Sequence, residues 1–192
     1  MPFLDETVEI LNDRWVNSFN CIGGEKHAYG IAETILVAKE DNESGAMMRY
    51  PGVICNTGEV MQISINDQLA IQLYHKIDSI TNGIDTKGGF GDEAGRNTEV
   101  ANMSLIVTAF RNQVLKPAHW IEGILKSILP ATMDFQAGQT SVVKPGTSSF
   151  DKLGLLAREF SEVELNYPEV IFFEMKYRIE STWKKGCIAP CI

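Results

Sequence analysis

The 192-residue sequence predicts an α+β domain, an antiparallel or mixed sheet of about four strands packed against two to three helices, with long loops. Three observations predict it. An apolar stripe of helical period opens the chain, residues 69–78 alternate with a period of two, and a second helical stripe spans residues 120–129 between strand-like segments.

Leu4, Val8, Leu11, Trp15 and Phe19 recur every three or four residues and form one helix face, with Asp5 and Glu6 near the positive end of the helix dipole. Gly23 and Gly24 stop that helix. Residues 25–39 fit two patterns: Ile31, Ile35 and Ala38 keep helical spacing, whereas Ile35-Leu36-Val37 suits a buried strand; the spacing favours a second short helix. The polar run 40–45 reads as an exposed loop, and Val53-Ile54-Cys55 as a short strand closed by Asn56-Thr57-Gly58. Leu69, Ile71, Leu73, His75 and Ile77 then alternate with polar neighbours, the mark of a half-buried strand.

Residues 101–110 are apolar on both faces, as in a central strand covered by helices. Pro117 suits the first turn of a helix whose apolar face is Trp120, Ile121, Ile124, Leu125, Ile128 and Leu129, with Gly123 packed closely inside it and Pro130 as its stop. Residues 137–149 are rich in Gly, Ser, Thr and Pro and read as a loop, and Leu153, Leu156, Ala157 and Phe160 mark a short helix. A long last strand runs over 170–180, with Phe173, Met175, Tyr177 and Ile179 on one face and a solvated face of alternating charge on the other. The domain therefore spans residues 1–181 with a long loop at 82–97, and residues 182–192 form a C-terminal arm.

Charge and cysteine usage exclude several functions. Lys and Arg number 17 against 25 Asp and Glu, a net charge of −8, which disfavours a non-specific DNA clamp because phosphate neutralisation needs clustered cations. No apolar run approaches the ~18 residues of a membrane span, and the first residues lack a basic signal-peptide region. Cys21, Cys55, Cys187 and Cys191 offer neither a disulfide framework nor a complete zinc half-site pair, so reduced thiols inside a cell are expected and no metal or other cofactor is.

Catalytic signatures are missing too. Gly89-Phe90-Gly91 followed by Gly95 misses the dinucleotide spacing by one residue, and Asp92 and Glu93 would repel phosphate. His27, His75 and His119 stand apart from one another, and no Gly-x-Ser-x-Gly elbow occurs. The residues left for function are those of partner binding. They are Ile84, Phe90, Asp92, Glu93 and Arg96 in the long loop, Phe172 and Tyr177 on the last strand as an edge contact, and Trp183, Ile188 and Ile192 in the arm.

An amino-terminal amphipathic helix, a hairpin region with a long loop, the strand Met103-Ser104-Leu105-Ile106-Val107, the helix of residues 120–129 and a final strand over 172–179 together resemble the tail-terminator and neck proteins of tailed bacteriophages. The chain would also suit a tail ring protein of a short-tailed, crAss-like gut phage. The resemblance implies a virion structural protein without catalytic residues, assembled in the host cytoplasm. It would self-associate into a ring, contact neighbouring portal, neck or tail proteins, and surround passing DNA without specific recognition or any membrane. The alternative from another class is a small cytoplasmic α+β enzyme or ligand-binding domain that uses the 82–97 loop as a lid.

Overall fold

The stripe Leu4, Val8, Leu11 and Trp15 lies on helix α1 (Pro2–Ser18), with Phe19 just past its end, and all five side chains are buried against a sheet. The computed structural model describes residues 2–38, 47–54, 59–85, 96–135, 139–160 and 169–184. The strands are β1 (Glu25–Ala38), β2 (Met47–Ile54), β3 (Val60–Gln62), β4 (Leu69–Asp85), β5 (Arg96–Phe110), β6 (Ala131–Phe135), β7 (Gln139–Ser149) and β8 (Val170–Lys184). Between them lie α2 (Arg111–Val114), α3 (Ala118–Ser127) and α4 (Lys152–Glu159).

All eight strands join one curled half-barrel sheet in the order β3-β2-β1-β4-β5-β8-β7-β6. Only β1 and β4 run parallel; every other neighbouring pair is antiparallel. Because side chains alternate across a strand, the sheet has two buried faces. One carries Ile71 and Leu73 of β4, Met103, Leu105 and Val107 of β5, and Phe173, Met175, Tyr177 and Ile179 of β8, packed under α1 and under Ile121 and Leu125 of α3. The other carries Tyr74, Ile106 and Phe172 beneath Leu155 and Leu156 of α4. Each large side chain so buried contributes about 1.5–3 kcal/mol of transfer free energy, which explains why the three central strands anchor the fold.

Several expectations need correction. The four-strand sheet is an eight-stranded, mixed, curled one, and strand content exceeds helix content. Residues 25–38 are strand rather than helix: β1 pairs with both β2 and β4, and its register shifts against β4 interrupt the alternation that would mark it. Residues 139–149 are strand β7 rather than loop, because Gln139, Ser141 and Val143 turn inward and the Ser141 and Ser181 hydroxyls bond at 2.7 Å. The 82–97 loop is shorter than its composition suggests, since β4 runs to Asp85 and β5 begins at Arg96. The last strand lies between β5 and β7, not at an edge. Gly123 is exposed on α3, with open space where a side chain would start.

Candidate functional site

The most elaborate polar cluster is closed to solvent. His75 of β4 is fully buried, with its Nδ1 2.7 Å from the Tyr177 hydroxyl and its Nε2 2.7 Å from Asn12 Oδ1. Asn12 Nδ2 donates to the Tyr29 carbonyl at 2.8 Å, which leaves its Oδ1 as an acceptor. His75 must then donate from Nε2 and accept the Tyr177 proton at Nδ1, so one tautomer satisfies the whole chain of bonds. Trp15 stacks on the imidazole at 5.5 Å and donates its indole N–H to the Leu125 carbonyl. Burial pushes His75 down to about 3 and pushes the Tyr177 phenol up, helped by the Asp78 carboxylate. A neutral imidazole and a neutral phenol held this way fix α1 on the sheet and have no access to a substrate.

The opposite face is held by ions. Glu159 of α4 is buried and accepts from Lys76 Nζ at 2.9 Å, Arg158 Nε at 2.8 Å and the Tyr74 hydroxyl at 3.2 Å. Arg158 also donates to buried Glu174 at 2.9 Å, so one guanidinium bridges two carboxylates. Burial, and then the Glu159 charge, push the Tyr74 phenol well above its ordinary value.

Further along this face a groove of about 480 Å³ is lined by Lys144, Lys176, Arg178, Asp78, Asn102 and Gly146 among others. Its cations are already matched: Lys176 pairs with Asp78 at 3.3 Å, Lys144 with Glu180 at 2.7 Å, and Arg178 with Glu180. Half-exposed pairs of this kind contribute little and leave little net charge for an anion.

A third feature is apolar and open. α1 packs across β1 and the central strands and α3 lies over β8, while the β2–β3 edge of the same sheet face, past the start of α1, stays open. There Leu4, Asp5, Ile31, Glu33, Ile54 and Ile77 line a groove of about 320 Å³. Ile54, aligned with Val60 on β3 and facing the same groove as Ile77 of β4, is 52% exposed, and those two are 48% and 40% exposed, unusual for neighbouring branched apolar side chains. Gly52 keeps the floor low, because a β-carbon there would meet Ile35 at 2.6 Å and Val60 at 2.8 Å.

The sequence-predicted residues separate into three groups. Ile84, Arg96 and Trp183 converge at the far end of the sheet, where Ile84 aligns with Asn97 and Asn97 with Trp183, and where Asp85 aligns with Arg96 and Arg96 with Lys184. Phe172 and Tyr177 are 3% and 2% exposed on a central strand, so neither offers the edge contact expected of it. Phe90, Asp92, Glu93, Ile188 and Ile192 lie outside the described residues. The apolar groove escapes a reading of the sequence because it depends on β1 lying beside β4. Its one signal there is that Ile77 continues the apolar parity of Ile71 and Leu73 into a polar stretch.

Among the described residues, no three His, Cys, Asp or Glu side chains are grouped to hold a metal ion, and no helix is long and apolar enough to cross a membrane. Comparison with protein-family models, with curated proteins and with solved structures returned no match.

Proposed function

We propose that this chain is a virion structural protein, an oligomeric ring subunit at the neck or tail of a tailed bacteriophage that joins head to tail around the DNA passage. The observation that carries the reading is the extension of β4, β5 and β8 to Asp85, Arg96 and Lys184, in register with one another and beyond the core under α1 and α3. A three-stranded extension of this kind is a rigid arm for reaching a neighbour, and the uncovered groove at the β1–β2–β3 end gives the molecule a second, different surface. Two unlike surfaces on one subunit make a head-to-tail contact, the type that closes into rings. The net charge of −8, with the cations of the β7–β8 face matched by carboxylates, suits a wall that DNA passes without being held.

Native mass spectrometry and negative-stain electron microscopy of the purified chain, alone and with phage neck proteins, test the reading. Closed rings are expected, and a chain that remains monomeric in both settings overturns it. One variant tests the tip of the arm. Replacing residues 86–95 with Asn-Gly joins Asp85 to Arg96 through a two-residue turn that their pairing accepts. The fold should survive and ring formation should be lost; rings indistinguishable from those of the unaltered chain would remove residues 86–95 from the assembly contact.

A further inference from the structure

The apolar groove beside the start of α1 combines two chemistries. Exposed Ile54 and Ile77 supply an open hydrocarbon surface beside half-buried Ile31 and buried Leu4, and the exposed carboxylates of Asp5 and Glu33 border it. A matching ligand has cationic groups next to branched apolar side chains and carries no acidic side chain. The chain contains such a segment. Lys184-Lys185-Gly186-Cys187-Ile188-Ala189-Pro190-Cys191-Ile192 places two ammonium groups ahead of two isoleucines and includes no acidic side chain.

We propose that the groove receives residues 185–192 of a second copy of this chain, with Lys185 toward Asp5 and Glu33 and Ile188 against Ile31, Ile54 and Ile77. The reach of the chain decides between its own segment and a neighbour's. Lys184 is paired with Arg96, and Arg96 with Asp85, so the segment leaves the sheet two strands away from the end of β4. Ile77, the nearest of the groove's strand residues on β4, lies eight positions back along that strand. At ~3.3 Å per residue along the strand and ~4.8 Å per strand across, the separation is roughly 25 Å or more. Ile188 is four residues beyond Lys184, and four residues span at most about 14 Å. A subunit therefore cannot fill its own groove with Ile188, and a neighbour's segment can.

The inference rests on the ring-subunit reading for its purpose, and it specifies the contact: the end of one subunit's β8 meets the β1–β2–β3 end of the next. Such a contact joins two different surfaces and leaves an open row of subunits with a free groove at one end and a free segment at the other until the ring closes.

The test uses the full chain carrying Ile188→Glu and Ile192→Glu, which disables its own segment, and a fluorescent peptide of residues 183–192 under reducing conditions. Saturable binding is expected, weakened by about tenfold or more when Ile54→Asp and Ile77→Asp are added, both at exposed positions. Self-association of the otherwise unaltered chain should also be lost with either pair of substitutions. Absence of saturable binding up to about 1 mM peptide, or binding indifferent to Ile54→Asp and Ile77→Asp, overturns the inference. Rings that form although the peptide does not bind would leave the ring-subunit reading standing and remove this contact. Peptide binding by a chain that never forms rings would do the reverse.

Discussion

The His75 imidazole and the Tyr177 hydroxyl, 102 residues apart in sequence, meet at 2.7 Å inside the core and lock β4 to β8 across the intervening β5. The same imidazole reaches Asn12 of α1, so one side chain ties together the first helix, a central strand and the last strand. Tyr177→Phe keeps the ring's edge contacts with Trp15 and His75 and removes only the proton that Nδ1 accepts. A buried acceptor left without a donor costs about 1–3 kcal/mol. Urea unfolding at pH 7 should show that loss, and a change below about 0.5 kcal/mol would mean the bond does not support the fold.

The same imidazole makes stability depend on pH. Above its ordinary value of 6.5, His75 is neutral in both the folded and the unfolded chain. As pH falls below 6.5 the unfolded chain takes up a proton that the folded chain refuses until about 3, so this contribution is lost progressively over that window. The slope is about 1.4 kcal/mol per pH unit, or about 2 kcal/mol between pH 6.5 and 5. His75→Gln, which still donates and accepts, should lose about 2 kcal/mol less than the unaltered chain over that interval. Parallel slopes in paired unfolding curves at the two pH values would refute the assignment.

Arg158 is half exposed, yet it bridges two carboxylates that are almost wholly buried. Arg158→Ala leaves Glu159 with Lys76 and Tyr74, and removes the guanidinium that faces Glu174. The stranded Glu174 charge should cost about 2–4 kcal/mol, somewhat below the full penalty for breaking a buried pair because water can approach the vacated side. Adding Glu174→Gln to Arg158→Ala should recover at least half of that loss. A double-mutant cycle with no coupling would show that the two residues act independently.

The sequence carries some of this fold plainly and conceals the rest for identifiable reasons. Helix α1 is legible because Leu4, Val8, Leu11, Trp15 and Phe19 are all buried on one side, and β4 because its period of two marks a strand, although residues 69–75 are buried on both faces rather than one and Ile77 is exposed. β1 is not, since Ile31 and Ile35 imitate helical spacing while the strand shifts register against its parallel partner. β7 hides because its inward residues include the polar Gln139 and Ser141, the latter bonded through its hydroxyl to Ser181 of β8, so hydrophobicity does not mark the buried face. With β7 unread, β8 has no second neighbour, and Phe172 and Tyr177 then look like an edge. Of the candidate surfaces, the convergence of Ile84, Arg96 and Trp183 follows from hairpin proximity plus one long-range pairing. The groove needs the β1–β4 adjacency, which no local pattern encodes.

Two glycines should respond to alanine with opposite signs. Gly146 lies where β7 bulges against β8, and a β-carbon there would sit 2.8 Å from the Lys176 carbonyl oxygen, a backbone atom that cannot swing away. Gly146→Ala must push the two strands apart and should cost about 1–3 kcal/mol. Gly123 is exposed on α3, and nothing lies within 4 Å of the position its β-carbon would take. Gly123→Ala restricts the unfolded chain without a clash and should stabilise by about 0.5–1 kcal/mol. Thermal unfolding of the two variants side by side provides the check. Destabilisation by Gly123→Ala would mean that α3 meets something at that point of its surface, which in an assembling subunit would identify a third contact.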